Sequence, residues 1–315
     1  MNIVKNLGAL IVGPFLFFVF RYYETPFNHE QKTFLIVFAT TVYLWLFSNI
    51  PLFITGFLSV CTIALLNLAD PVDVFSHYAH PIIFLFLGGF LLAEAFNKVY
   101  LDKRISLFLL TRKFIKGSIK RLLLTLMILS ATFTMWISNT ATTAMMLPLV
   151  LGILSGLQIT NKKITSIILL CMAYASSIGG IATPIGSTPN IIAIGMLSEF
   201  VQIKVTFFEW IVYALPITCI FLLVLYFLSI YQFRNYKFNM DTSYLEEEYL
   251  KLPKISISEK CTFFIFMLTV LAWLAPSFFK LLGIKSPLSL NAGVVAIFGA
   301  SLLFIFPLST KEKIL

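Results

Sequence analysis

The sequence predicts an all-α polytopic membrane protein, and three observations predict it. The 315 residues are 59% hydrophobic and only 12% charged, about half the charged share of a soluble domain, with a mean hydropathy of +0.94. Several apolar windows reach the length of about 20 residues that a bilayer demands, and short polar segments carrying Lys and Arg separate them. Two of the later windows are broken by polar and glycine-rich runs, WISNTATTAMMLP at 136–148 and SIGGIATPIGSTPN at 177–190.

The first window, 7–20, contains Pro14, has only Lys5 as a charge before it and runs into Arg21-Tyr22-Tyr23 without a small-residue cleavage site. It reads as a span and not as a signal peptide. Further spans are expected at 33–50, 52–68 and 81–99. Between 98 and 121 lie Lys98, Lys103, Arg104, Arg112, Lys113, Lys116, Lys120 and Arg121, with Asp102 the only acid among them. The positive-inside rule makes this segment cytoplasmic, and Ile105, Phe108, Leu109, Phe114 and Ile115 suit an amphipathic helix on the membrane surface. Four preceding spans return the N-terminus to the cytoplasm, and Lys162-Lys163, the linker 233–260, Lys311 and Lys313 then fall on the same side. The net charge of +9 is thereby spent on topology, and nucleic acid is not an expected partner. Cys61, Cys171, Cys219 and Cys261 sit in apolar segments without metal-like spacing and read as reduced packing residues.

Residues 122–157 form two apolar arms of about 17 residues joined by the Ser-Asn-Thr tip. Two full spans and a hairpin turning within the bilayer give the same topology, so charge does not choose. Polarity does: backbone that leaves a helix at membrane depth needs internal partners, and seven hydroxyl and amide side chains lie between Thr132 and Thr143. Thr132 fits helix-packing glue equally well, whereas the costly amide of Asn139 points to function.

The next helix, expected over 164–178, meets Gly179, Gly180, Pro184, Gly186 and Pro189, which no unbroken span accommodates. Thr188-Pro189 reads as an N-cap followed by proline at the first helical position. Two such breaks are the sequence pointer to a midplane site in a secondary transporter. Half-helix ends near 136–138 and 185–186 offer carbonyls to a cation, and the half-helix starts after Thr140 and Thr188 offer N–H groups to an anion. From 103 to 198 there is no Asp, Glu or His. A proton-coupled site generally uses such a group, so sodium, held by neutral oxygens, is the expected coupling ion. No Lys or Arg lies within 122–161 or 164–203, leaving hydroxyls, amides and helix ends to hold the anion.

The combination of SNTAT with AYASSIGGIATPIGSTPN resembles the divalent anion/sodium symporter family, whose members carry dicarboxylates, citrate or sulfate. The resemblance extends to WLFSNIPLFITGFL, FLFLGGFLLAEAF and LNAGVVAIFGASLLFIFP and covers nearly the whole chain. It implies an inverted-repeat fold with a re-entrant hairpin and a discontinuous transmembrane helix, a homodimer and an elevator-like transport domain. Sodium ligands would be Thr134, Ser138, Asn139 and Gly186; substrate ligands would be Asn139, Thr140, Ser187 and Thr188, with no cofactor. The implied divisions are scaffold helices with the interfacial helix at 1–118, a transport half at 119–232, a cytoplasmic linker at 233–258 and second-repeat scaffold helices at 259–315. The family has a second Ser-Asn-Thr hairpin that this sequence lacks, so a truncated transporter is expected. Sulfate or another inorganic anion is the alternative cargo, and a non-transporting membrane protein the alternative class.

Other polar groups read as structural. Asp70, Asp73, His77 and His80 fit no metal motif, Glu94 can pair with Lys98 four residues on, LGGF at 87–90 suits close helix packing, and Glu246-Glu247-Glu248 suits a solvated face. The spans offer neither a nucleophile with its base nor a metal cluster, so an enzyme is not expected.

Overall fold

The computed structural model describes residues 26–112, 115, 118–159, 161–233, 243–284 and 290–305, together with 11, 15, 18 and 19. Most of the expected span at 7–20, the linker stretch 234–242, and Lys113, Phe114, Lys116, Lys311 and Lys313 lie outside the described residues. Every regular element among the described residues is a helix, as the sequence predicts. Among the described residues, four helical stretches are long and apolar enough to cross a bilayer: Pro71–Lys98, Asn139–Gly156, Phe207–Gln232 and Ile257–Leu281. The contacts divide the chain into two units, Met1–His80 and Pro81–Leu315.

In the first unit, helix α1 (His29–Phe47) begins four residues before the expected span because Asn28 and Gln31 form a capping box, with the Asn28 side chain accepting from the Gln31 amide at 2.8 Å. It stops at Ser48, whose backbone is extended. Helix α2 (Leu52–Leu65) ends at a left-handed Asn67, φ 54°, three residues short of expectation. Helix α3 (Pro71–Ser76) is capped by Asp70, and the His77 ring bonds the Asp73 carbonyl at 2.7 Å. These side chains serve local turns.

In the second unit, helix α4 (Pro81–Lys98) packs along α13 (Ala292–Ile305), which lies nearly two hundred residues later in the chain. Glycine allows the approach: a Cβ on Gly88 would overlap Ala296, and one on Gly293 would overlap the Pro81 carbonyl. Such small-residue contacts replace the hydrophobic effect as the glue between helices in lipid. Helix α5 (Leu101–Leu110), in the segment expected at the membrane surface, buries Leu101, Leu107 and Leu110, while Phe108 and Leu109 remain exposed. The side chain is held by its neighbours: Arg104 Nη2 donates to Glu259 Oε1 at 3.1 Å and to the Pro253 carbonyl at 2.8 Å.

Helices α6 (Ile119–Thr134), α7 (Asn139–Gly156) and α8 (Lys162–Gly179) share one core through Leu122, Leu126, Met146, Val150 and Ile168. A 3-10 turn at Pro184–Gly186 leads into α9 (Thr188–Phe200), followed by α10 (Phe207–Gln232), α11 (Ser243–Leu250) and α12 (Ile257–Leu281). Helix α10 leaves Tyr213 73%, Phe227 60% and Leu228 63% exposed, a continuous apolar face that calls for lipid or another apolar cover.

Candidate ion and anion site

Both breaks fall where the sequence places them, with shifted edges. Helix α6 ends at Thr134, earlier than 136–138, and α7 begins at Asn139, one residue before Thr140. Ser138 is the N-cap, its hydroxyl accepting from the Ala141 amide at 3.3 Å, which satisfies one orphan donor of the new helix. The turn between them is pinned by Trp136. Its ring stacks on Trp273 with centroids 6.5 Å apart and meets Phe266 edge-on at 5.4 Å. At 1.5 Å per residue, 16-residue α6 and 18-residue α7 extend about 24 and 27 Å.

Helix α8 runs to Gly179, and its successor begins at Thr188 with Ser187 as N-cap, so the expected cap at Thr188 moves by one residue. The intervening strap is buried, with Ala182 fully enclosed and Thr183 at 2% exposure. A buried strap outside any helix must pair its carbonyls internally, and side chains supply the donors. Asn190 Nδ2 reaches the Gly180 carbonyl at 2.7 Å and the Thr183 carbonyl at 2.9 Å. Trp210 Nε1 donates to the Ile181 carbonyl at 3.0 Å. The Thr183 hydroxyl bonds the Met135 carbonyl and accepts from the Gly186 amide at 3.2 Å, so Thr183 ties the second break to the first. Asn190, Thr183, Trp210 and Trp136 are structural supports that the sequence reading left without a role. A polar residue just inside the second half-helix, as in STPN, is the one signal that marks Asn190.

The two breaks converge. Thr134 Oγ1 lies 2.6 Å from the Ser176 carbonyl and 3.1 Å from Asn139 Oδ1. A hydroxyl has one proton for these two acceptors, so one of the oxygen pairs meets without a hydrogen between them unless the Asn139 amide is turned. A Cβ added to Gly186 would sit 2.7 Å from both the Thr134 and the Gly180 carbonyl oxygens. One added to Gly180 would overlap Asn139 Oδ1. Oxygens from three segments thus surround the bare glycines, and Ser130, Thr142 and Ser176 add buried hydroxyls without partners nearby in the same helices. Gly186 does not adopt positive φ; among the described residues Gly283 is the glycine that does. Its requirement is space.

Of the expected sodium ligands, Thr134, Asn139 and Gly186 are brought together, with Ser138 adjacent as the cap. Of the expected anion ligands, Asn139 and Ser187 are half-buried, whereas Thr140 and Thr188 are exposed. They stand in the first turns of α7 and α9, or at the cap before it, where backbone N–H groups are free of intrahelical partners.

Residues 25–315 match the family described as the sodium:sulfate symporter transmembrane region. The chain belongs to that family. Within the sodium:sulfate symporter family it is similar to the sodium-dependent dicarboxylate transporter SdcS of Staphylococcus aureus strain USA300, at 33% identity over 328 aligned positions that take in 98% of this chain. The same protein of strain MSSA476 is 32% identical over the same span. The chain covers 61% of the length of these relatives. Family membership and the long apolar helices make it an integral membrane protein.

Proposed function

We propose that this protein is part of a sodium-coupled carrier of a dicarboxylate or a similar divalent anion. The observation that carries the reading is the convergence of the Thr134 and Gly180 carbonyls at Gly186 with the Thr134 hydroxyl and the Asn139 amide oxygen beside Gly180. Neutral oxygens packed this closely repel one another and gain from a small cation between them, and sodium requires no titratable ligand. Beside that cation, the helix starts at Asn139 and Thr188 present amide hydrogens to an anion, and the amide of Asn139 has both an acceptor and donors to serve the two. The relatives' dicarboxylate specificity supports the cargo; the family description keeps sulfate as the second reading.

In this reading Thr134, Ser138, Asn139 and Gly186 hold sodium, and Asn139, Thr140, Ser187 and Thr188 face the anion. The α6–α7 pair turns inside the bilayer, where the hydroxyls and amide from Ser138 to Thr143 can serve backbone that leaves a helix at membrane depth. Residues 119–232 form the moving half of a homodimeric, inverted-repeat elevator in the plasma membrane, against a scaffold of 1–118 and 259–315 joined by the linker 233–258. The segment 98–121 and the N-terminus lie in the cytoplasm. The test is uptake of labelled succinate, and separately of sulfate, into proteoliposomes of the purified protein. Uptake should follow an imposed sodium gradient and persist when the proton gradient is collapsed. Uptake driven by protons alone, or absent with sodium, would overturn the proposal.

A further inference from the structure

We propose that the cavity walled by α5, α7 and α11 is a second ligand site, built for an ammonium group carried on an apolar body. The cavity measures about 480 Å³, within the range of small-molecule sites. It lies along the middle of α7, beside Met145, Leu149 and Gly152, well away from the tip at Asn139. Leu107, Met146 and Ile153 supply apolar wall, and Tyr100 and Tyr244, aromatic residues of the kind that attract cations, also line the cavity.

The polar end of the cavity defines the ligand. Asn97 and Asp102 both line it, and Asn97 Oδ1 and Asp102 Oδ1 are each buried without a hydrogen-bond partner. Both orphans are acceptors, so the missing partner is a donor, and one of them belongs to an acid that is only 5% exposed. A buried carboxylate oxygen left without a donor is costly, and a donor that brings positive charge relieves that cost best. Burial pushes the Asp102 carboxyl above the usual carboxylate range, against the pull of the Lys103 and Asp102 backbone amides. Lys103 also lines the cavity, but it is an exposed residue and the Asp102 Oδ1 atom remains without a donor. Glu248 adds a second acid at the rim, engaged with Lys251 at 2.7 Å. A small organic amine and the ethanolamine headgroup of a lipid share the required chemistry.

The experiment measures binding of 2-phenylethylammonium to the purified protein in phosphatidylglycerol nanodiscs by calorimetry, with 2-phenylethanol as the uncharged analogue. The amine should bind, and the alcohol should bind about tenfold more weakly or worse, the discrimination expected of a charge-assisted hydrogen bond. Asp102→Asn keeps the shape and should weaken the amine by a similar factor. Gly152→Leu approaches from the opposite wall, where an added Cβ meets nothing within 4 Å, and should abolish binding of both. In discs containing phosphatidylethanolamine, a weaker apparent affinity identifies the lipid headgroup as the occupant, and an unchanged one identifies a free amine. Absence of amine binding, equal binding of amine and alcohol, or full affinity in Asp102→Asn would overturn the proposal. The measurement involves neither sodium nor the anion, so its failure leaves the transport reading intact.

Discussion

Replacing Gly186 by Ala adds one methyl group at the point where the two breaks meet. The added carbon would stand 2.7 Å from the Thr134 and Gly180 carbonyl oxygens at once, so each must retreat by about 0.7 Å to reach ordinary contact. Neither oxygen yields freely. Thr134 closes helix α6, and the Gly180 carbonyl is held by Asn190 Nδ2 at 2.7 Å. Overpacking of this kind costs about 1–3 kcal/mol, and backbone strain adds nothing because Gly186 does not use positive φ. The larger expectation concerns sodium. An ion that binds only the folded protein stabilises it by about 2.7 kcal/mol at a hundred times its dissociation constant. Displacing Thr134 and crowding the Gly186 backbone, two of its four proposed ligands, should remove most of that gain. The assay is thermal unfolding in detergent, in sodium and in matched potassium. Wild type should unfold at higher temperature in sodium. Gly186→Ala should unfold earlier in both salts, with the difference between salts nearly gone. Gly152→Ala, where nothing lies within 4 Å, should retain the full difference. A Gly186→Ala protein that kept the wild-type sodium shift would refute the proposed ligand set.

Asn190→Ala strips donors from two buried carbonyls, those of Gly180 and Thr183, and should cost about 2–4 kcal/mol in the same unfolding assay, at roughly 1–2 per orphaned group; a change under 0.5 kcal/mol would show that water replaces the amide. Asn139→Ala should weaken both sodium and succinate titrations by about 1–3 kcal/mol if one amide serves both; unchanged titrations in a folded variant would return the polar run to helix packing. A cysteine in place of Thr142, which is fully buried, should react slowly with an external thiol reagent in a cysteine-free background and be protected further by sodium plus substrate. Fast labelling under all conditions would indicate an ordinary external loop. Because burial raises the Asp102 pKa, its penalty is absent below the unfolded carboxyl value of about 3.9, grows as pH rises from there toward the folded value and is complete above it. Without ligand, Asp102→Asn should therefore be more stable than wild type at neutral pH, with the gap closing on acidification; an advantage independent of pH would contradict the assignment.

Composition and polar placement determine much of this protein without a fold. Apolar windows of bilayer length dictate helices, because lipid offers no partner to an unpaired backbone group. The same rule makes Gly179 to Pro189, and Ser138 to Thr140, legible as breaks. Helix edges moved by one to four residues, for reasons local to the caps at Asn28, Ser138 and Ser187. The absence of Asp, Glu and His from 103 to 198 limits the chemistry of any ion held there. What the sequence could not supply is which distant groups complete each break. Asn190, Thr183 and Trp210 act on carbonyls several to tens of residues away, and Trp136 leans on Trp273 from another helix. Asn97 and Asp102 carry no periodic signal; they matter because α7 and α11 close over them and leave their oxygens without donors. Hydrophobic patterning reports which face a helix buries, whereas a hydrogen-bond partner is set by packing angles between elements. Only the tertiary structure brings oxygens of the two interrupted helices together at Gly180 and Gly186.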